Sequence, residues 1–228
     1  MRNTLLLFIL LLPLLACAGQ AQPEATSAGG EFRPDSRPMA KTLVYECEGG
    51  AEFITRVGPG EMALWFEDRY LVLSQVRSGS GTRYEEGDVV LVARGEEVVL
   101  EVAGRSYHNC RLNPSRAPWE DARRRGIDFR ATGNEPGWSL ELRGSESLLF
   151  VGDYGATTLL FREVARTDEG AQRFYEARQG SDYISVSAVE ETCTDSMKGE
   201  SFPYTVRVNL NDRSYGGCGR DLDHPWER

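Results

Sequence analysis

Histidine is almost missing from this chain. Among 228 residues only His108 and His224 carry an imidazole. The commonest general base and the commonest zinc ligand are therefore scarce, which argues against a histidine-dependent enzyme. Positive charge is also short, with 26 Lys plus Arg against 35 Asp plus Glu and a net charge of −9. That balance speaks against a general nucleic-acid binder, which neutralises phosphates with a basic face, and favours attraction to basic partners. No apolar run reaches the roughly 20 residues that a membrane-spanning helix needs. No pair of the five cysteines has CxxC spacing, so redox and zinc chemistry lack their usual motif. No fixed-period repeat links the two halves. What is present, 40% hydrophobic and 27% charged residues, suits a chain that buries cores, and the length fits two domains of about 100 residues each.

Arg2 precedes an apolar stretch over residues 5–16, broken only by Pro13, and small residues close it. This is the pattern of a secretory signal. Leu14-Leu15-Ala16-Cys17 resembles a bacterial lipobox. The resemblance implies a signal peptide at 1–16, lipidation (palmitate included) at Cys17, and a lipid-mediated membrane partner. Ala18, where an aspartate would signal retention, resembles the residue type of Gram-negative lipoproteins sorted to the outer membrane. Residues 17–41 then form the lipidated cysteine and a tether rich in Ala, Gly, Pro, Ser and Gln. Four cysteines remain: Cys47, Cys110, Cys193 and Cys218. Three pairings exist in principle. Cys47–Cys110 with Cys193–Cys218 keeps each bridge within one half of the chain, and each would restrict the unfolded state by roughly 3–5 kcal/mol.

Residues 42–109 are a succession of short β-rich runs, around Val44, Ile54, Leu64, Leu71, Val90 and Leu100, separated by glycine-bearing turns. Even spacing with turn signals predicts an antiparallel sandwich or barrel. Residues 113–125 interrupt it with Pro114, Pro118 and an Arg123-Arg124-Arg125 run, read as a solvated linker helix of one or two turns. A second β-rich block follows, in which residues 183–189 and 204–210 alternate clearly, as strands with one wet face do. The fold class is thus all-β: an antiparallel sandwich or barrel at 42–114, a linker at 115–126, and a second antiparallel β-rich domain at 127–228.

Between the strand ending near Val76 and one beginning at Asp88 lies Ser78-Gly79-Ser80-Gly81-Thr82-Arg83-Tyr84. Alternating glycine and serine permit tight positive-φ turns and place small hydroxyls at an exposed tip. Taken alone, this is an ordinary flexible hairpin connection. A serine nucleophile would need a partner base, which this half lacks apart from His108. The surroundings add meaning: Tyr45-x-Cys47, then the loop, then Arg94-Gly95-Glu96-Glu97, then Tyr107-His108-Asn109-Cys110-Arg111-Leu112-Asn113-Pro114. In order and spacing, residues 42–114 resemble the membrane-bound lysozyme inhibitors of C-type lysozyme.

The resemblance implies a small β-barrel closed by a Cys47–Cys110 bridge, with C-type lysozyme as partner and no cofactor, metal or catalytic residue. It carries the lysozyme-binding role onto Ser78, Gly79, Ser80, Gly81, Tyr84 and Arg94, with Ser80 entering the enzyme's cleft and Arg94 beside it. Family members commonly have lysine where Arg94 stands; arginine keeps the charge and changes reach and donor geometry. A lysozyme holds one protonated and one ionised carboxyl (a worked example among glycosidases). A serine hydroxyl can donate to one and accept from the other, and a guanidinium would neutralise the ionised one. Read from its residue type alone, Tyr84 is a core or loop-anchoring aromatic rather than a contact.

Three signatures mark the second half: Gly133-Asn134-Glu135-Pro136-Gly137-Trp138, Cys193-Thr194-Asp195-Ser196-Met197-Lys198-Gly199, and Tyr215-Gly216-Gly217-Cys218. Together they resemble an uncharacterised envelope domain of bacterial lipoproteins, which implies no activity. Asn134 to Gly137 reads as a turn into a strand starting at Trp138, and a Cys193–Cys218 bridge would tie the 195–199 loop to a Gly216-Gly217 turn. Ser196 and Lys198 lack the helical Ser-x-x-Lys geometry of a hydrolase. Asp128, Glu135 and Asp195 match no calcium-loop spacing. A cup for a small envelope ligand, with Glu135 and Trp138 on its rim, is the open alternative, and with it a non-inhibitory binding module rather than an enzyme.

Overall fold

Apolar residues at every second position decide the first half, because each such run lays one face on a core and the other in water. In the computed structural model, which describes residues 41–222, these runs become β1 Lys41–Glu46, β2 Glu52–Gly58, β3 Glu61–Phe66, β4 Arg69–Val76, β5 Thr82–Glu86, β6 Val89–Arg94, β7 Glu97–Val102, β8 Arg105–Tyr107 and β9 Arg111–Leu112. They form one antiparallel sheet in the order β8-β7-β6-β5-β4-β3-β2-β1-β9. Its outermost strands, β8 and β9, are three residues apart in the chain. That short link spans at most about 14 Å, so the sheet must curl until its ends approach. The Cys47–Cys110 disulfide joins the end of β1 to the link between β8 and β9. Phe53, Leu64, Leu73, Leu91 and Leu100 fill the interior, each no more than 1% exposed. Each such side chain contributes about 1.5–3 kcal/mol through burial.

The second half repeats the principle with another connectivity. Its strands are β10 Phe129–Asn134, β11 Gly137–Arg143, β12 Ser147–Gly152, β13 Thr157–Arg162, β14 Ala165–Glu169, β15 Gln172–Gln179, β16 Asp182–Val189, β17 Cys193–Thr194, β18 Ser201–Phe202, β19 Tyr204–Leu210 and β20 Arg213–Asp221. The sheet order is β13-β12-β11-β10-β20-β19-β16-β15-β14, with β17 and β18 as a separate two-stranded hairpin. Here too the edge strands, β13 and β14, are sequence neighbours, and the buried Val164 sits between them. A second core contains Phe129, Leu140, Phe150, Phe161, Ile184 and Val208. Cys193–Cys218 ties the β17 hairpin to β20.

The expected all-β class therefore holds, with both sheets curled and antiparallel. Three local expectations do not. The stretch 78–84 is not all loop: Thr82–Glu86 is β5, paired with β4 and β6. Gly216 and Gly217 do not form a turn; they lie inside β20, opposite Arg207 and Val206. The linker helix is real, α1 Ala117–Arg124, with Glu120 in its first turn and Arg123 and Arg124 in its last, as the helix dipole favours. It is not solvated. Ala122 is fully buried, and the Arg124 guanidinium lies 3.7 Å over the Trp65 ring. Asp121 accepts a 2.6 Å hydrogen bond from Thr42 Oγ1, while Arg125 pairs with the buried Glu141 at 2.8 Å. Charged side chains paired with the sheets, Asp121, Arg124 and Arg125, are invisible to a hydrophobic count and hold the helix down.

The signal, Cys17, tether and His224 readings lie outside the described residues. No helix among the described residues is long and apolar enough to cross a membrane.

Candidate functional site

Two hairpins of the first sheet end at the same rim. Residues 77–81 connect β4 to β5, and Gly95 and Glu96 connect β6 to β7. Gly95 has φ 65°, the positive value a two-residue hairpin turn needs at its first central position. Because Thr82 pairs with Ala93, the register sets Gly81 against Arg94. The approach is close: a Cβ on Gly81 would lie 2.2 Å from the Ala93 carbonyl oxygen and 2.9 Å from Arg94 Cγ. Gly81 also has φ 69°, so a side chain there is disfavoured twice. The glycine lets the Arg94 stem lie across the base of the serine loop.

The loop braces itself through Ser78 Oγ, which donates to the Ser80 carbonyl at 2.8 Å. Ser80 and Arg94 are both exposed. Among the described residues, neither the Ser80 hydroxyl nor the Arg94 guanidinium has a hydrogen-bond or ion-pair partner. Ser78, Gly79, Ser80, Gly81 and Arg94 thus gather at one rim. Tyr84 does not join them. It is 7% exposed and packs in the core with Tyr45 and Leu91, because β5 continues past the loop and turns this position inward. This is the place of the core aromatic read from its residue type, rather than of the contact that the resemblance implied. Burial raises the Tyr45 hydroxyl above the ordinary tyrosine range, and nearby Tyr84 adds to this.

In the second half, the three signatures converge around one indole. Trp138 Nε1 donates to the Gly216 carbonyl at 3.0 Å. A Cβ on Gly133 would lie 2.1 Å from that Nε1, and one on Gly217 2.8 Å from Trp138 Cζ2 and 2.1 Å from the Thr132 carbonyl oxygen. Asp195 Oδ1 accepts from the Met197 and Lys198 amides at 2.8 and 2.7 Å, and Asn134 Nδ2 donates to its Oδ2 at 3.0 Å. The Lys198 amide first, then the Asn134 side chain, holds the Asp195 carboxyl below its usual range. Trp138 lines a cleft; Glu135, expected beside it, is exposed and outside the lining. Lys198 Nζ donates to Ser115 Oγ at 3.2 Å, while Ser196 Oγ faces Asn134 Nδ2 at 3.4 Å, so Ser196 and Lys198 do not form a nucleophile–base pair. Asp128 accepts from the Gly144 amide, and no group of three His, Cys, Asp or Glu among the described residues could hold a metal ion.

The first sheet thus offers a hydroxyl and a guanidinium from adjacent hairpin tips. Residues 45–109 match the family model of membrane-bound lysozyme-inhibitor of c-type lysozyme. The match spans the first sheet from β1 to the link after β8 and leaves the second sheet outside it. No curated protein and no solved structure matches this chain.

Proposed function

We propose that this protein is a cell-envelope inhibitor of C-type lysozyme, acting through residues 42–114, with residues 127–228 as a second, auxiliary domain. The loop carrying Ser80 enters the enzyme's active-site cleft, and Arg94 follows beside it. The observation that supports this best is the Gly81–Arg94 approach, which brings a free hydroxyl and a free guanidinium to one exposed rim. Ser80 Oγ can donate to one catalytic carboxyl and accept from the other. Arg94 would meet the ionised carboxylate, with an attraction of about 4 kcal/mol at an effective dielectric near 20, before desolvation is subtracted. The net charge of −9 would speed the encounter with a basic enzyme. A lipid on Cys17 would hold the inhibitor in the outer membrane, at the end of the 17–41 tether.

The test is lysis of bacterial cell walls by hen egg-white lysozyme in the presence of the oxidised protein without its first 17 residues. Inhibition at micromolar concentration is expected, reduced by Ser80→Ala and by Arg94→Ala while the unfolding curve stays in place. Unchanged lysis by the folded, oxidised protein would overturn the reading and leave a non-inhibitory binding module.

A further inference from the structure

An open cleft of about 440 Å³ runs between the segment leading into α1 and one end of the second sheet. Volumes of this size suit small ligands, and such sites combine aromatic faces with a few placed polar groups. Trp119, Trp138 and Tyr154 supply the aromatics; Asn134, Asp195 and Lys198 supply amide, carboxylate and ammonium.

Tyr154 is the unusual member. It is 81% exposed, the most exposed large hydrophobic residue among those described. It also has φ 56° and ψ 33°, and Asp153 before it has φ 53°. Two consecutive non-glycine residues in the left-handed region cost free energy, yet the structure fixes them. Arg213 grips Asp153 at 2.6 and 2.7 Å, Thr157 Oγ1 donates to it at 3.0 Å, and Tyr154 Oη donates to the Asn134 carbonyl at 3.2 Å. Gly137 lies flat under the ring, so close that a Cβ there would come 2.7 Å from Tyr154 Cδ1. A large apolar ring is thus held in water, at a strained backbone, on a glycine. Core packing does not require that arrangement; an aromatic platform does.

Asn134 connects this platform to the opposite wall. Its carbonyl receives Tyr154, and its side-chain amide holds Asp195, whose loop the Cys193–Cys218 bridge ties to β20. The charges in the cleft balance. Lys198 offers one positive and Asp195 one negative group, and the Arg130 guanidinium is already spent on Glu141. Balance disfavours a phosphate or a polycation, and an open, hydroxyl-lined trough disfavours a purely apolar ligand. A pyranose ring fits all three constraints, since its C–H face lies on an aromatic ring while its hydroxyls exchange hydrogen bonds with both donors and acceptors.

We propose that the cleft bounded by Tyr154, Trp138, Asn134, Asp195 and Lys198 is a saccharide-binding site that stacks a neutral sugar ring on Tyr154. The proposal is independent of lysozyme inhibition and is tested without the enzyme. The oxidised protein without its first 17 residues is titrated with N-acetylglucosamine tetramer and, separately, with cellotetraose, following heat and tryptophan fluorescence. A saturable signal below about 5 mM is expected for at least one of the two. Tyr154→Ala should weaken binding about tenfold or more, and Tyr154→Phe, which keeps the ring, should recover most of it. Asp195→Asn should weaken it several-fold. No saturable signal with either sugar overturns the proposal, as does binding that Tyr154→Ala leaves untouched or that Tyr154→Phe fails to restore. Because Tyr154 is so exposed, unfolding curves of both variants are expected to overlay the parent's, and a tetramer signal lost only together with the fold would equally overturn the site.

Discussion

The two sheets of this molecule each have nine strands and edge strands that adjoin in sequence, yet they build their exposed groups in opposite ways. The first is an uninterrupted meander from β1 to β8, so each hairpin aligns the next and the Ser80 loop and Arg94 appear at turn tips. Gly81 and Arg94 come side by side because β5 and β6 pair in one register. In the second sheet β10 pairs with β20, about ninety residues later, and the β17–β18 hairpin lies outside the sheet. Its cleft exists because distant segments, carrying Asn134, Tyr154 and Asp195, close on one another. A site made by register is robust to changes elsewhere; a site made by closure depends on every segment that closes it.

The largest expected effect separates the two staples. Cys47 and Cys110 lie 63 residues apart, Cys193 and Cys218 only 25. Replacing the first pair by serine should cost about 4 kcal/mol and the second about 3.5 kcal/mol in urea unfolding. The difference in function should be sharper: the first pair's loss abolishes lysozyme inhibition, while the second's spares it and loosens the cleft. Inhibition lost equally in both variants would break the comparison.

Next in size are the close-packed glycines. Gly217→Ala, whose Cβ would meet the Thr132 carbonyl, should destabilise by roughly 2–3 kcal/mol without altering the Ser80 rim. Gly81→Ala should cost about 1–2 kcal/mol and weaken inhibition more than its stability loss explains, because it lifts Arg94 off the loop. Thermal melts paired with inhibition curves distinguish the two.

The junction gives a smaller effect. Burial pushes the Arg124 guanidinium down to about 10, and the nearby Glu120 opposes this, so it remains charged on Trp65 at neutral pH. Arg124→Ala should remove about 1–2 kcal/mol, read as faster hydrogen exchange in α1 than in either sheet.

The least effect concerns acid. The Asp195 carboxyl sits below its usual range, so its hold on the loop is complete above about pH 4 and is lost as pH falls through the lowered folded value. Amide protection at Met197 and Lys198 should survive at pH 4 and fade only as pH drops on through the lowered folded value, with the first sheet unaffected. Protection that instead falls between pH 6 and 5 would show another group in control.

Strand identity was largely legible where apolar and polar residues alternate, as in β3 and β19. It was illegible in β14, Ala-Arg-Thr-Asp-Glu, whose residues are all exposed, because an edge strand with two wet faces carries no alternation. It was misleading in β20, where glycines read as a turn; Gly217 and Gly219 are small because Thr132, Trp138 and Phe129 approach them from neighbouring strands. That residues 78–81 form a loop was readable from alternating glycine and serine, while the pairing of that loop with Arg94 in one site rests on the resemblance. Tyr84 was assigned a contact role by resemblance and lies in the core, since β5 begins two residues earlier and alternation turns it inward.

By itself, then, the order of residues dictated short antiparallel strands and most of the turns between them, because these follow from local alternation, glycine and short loops, while the pairing of the four cysteines was one of three open to it. Tertiary structure alone decided that α1 is clamped rather than solvated, and that Asn134, Tyr154 and Asp195 share one cleft. Those outcomes depend on which distant surfaces desolvate against each other, and that free energy belongs to the packed molecule rather than to any stretch of chain.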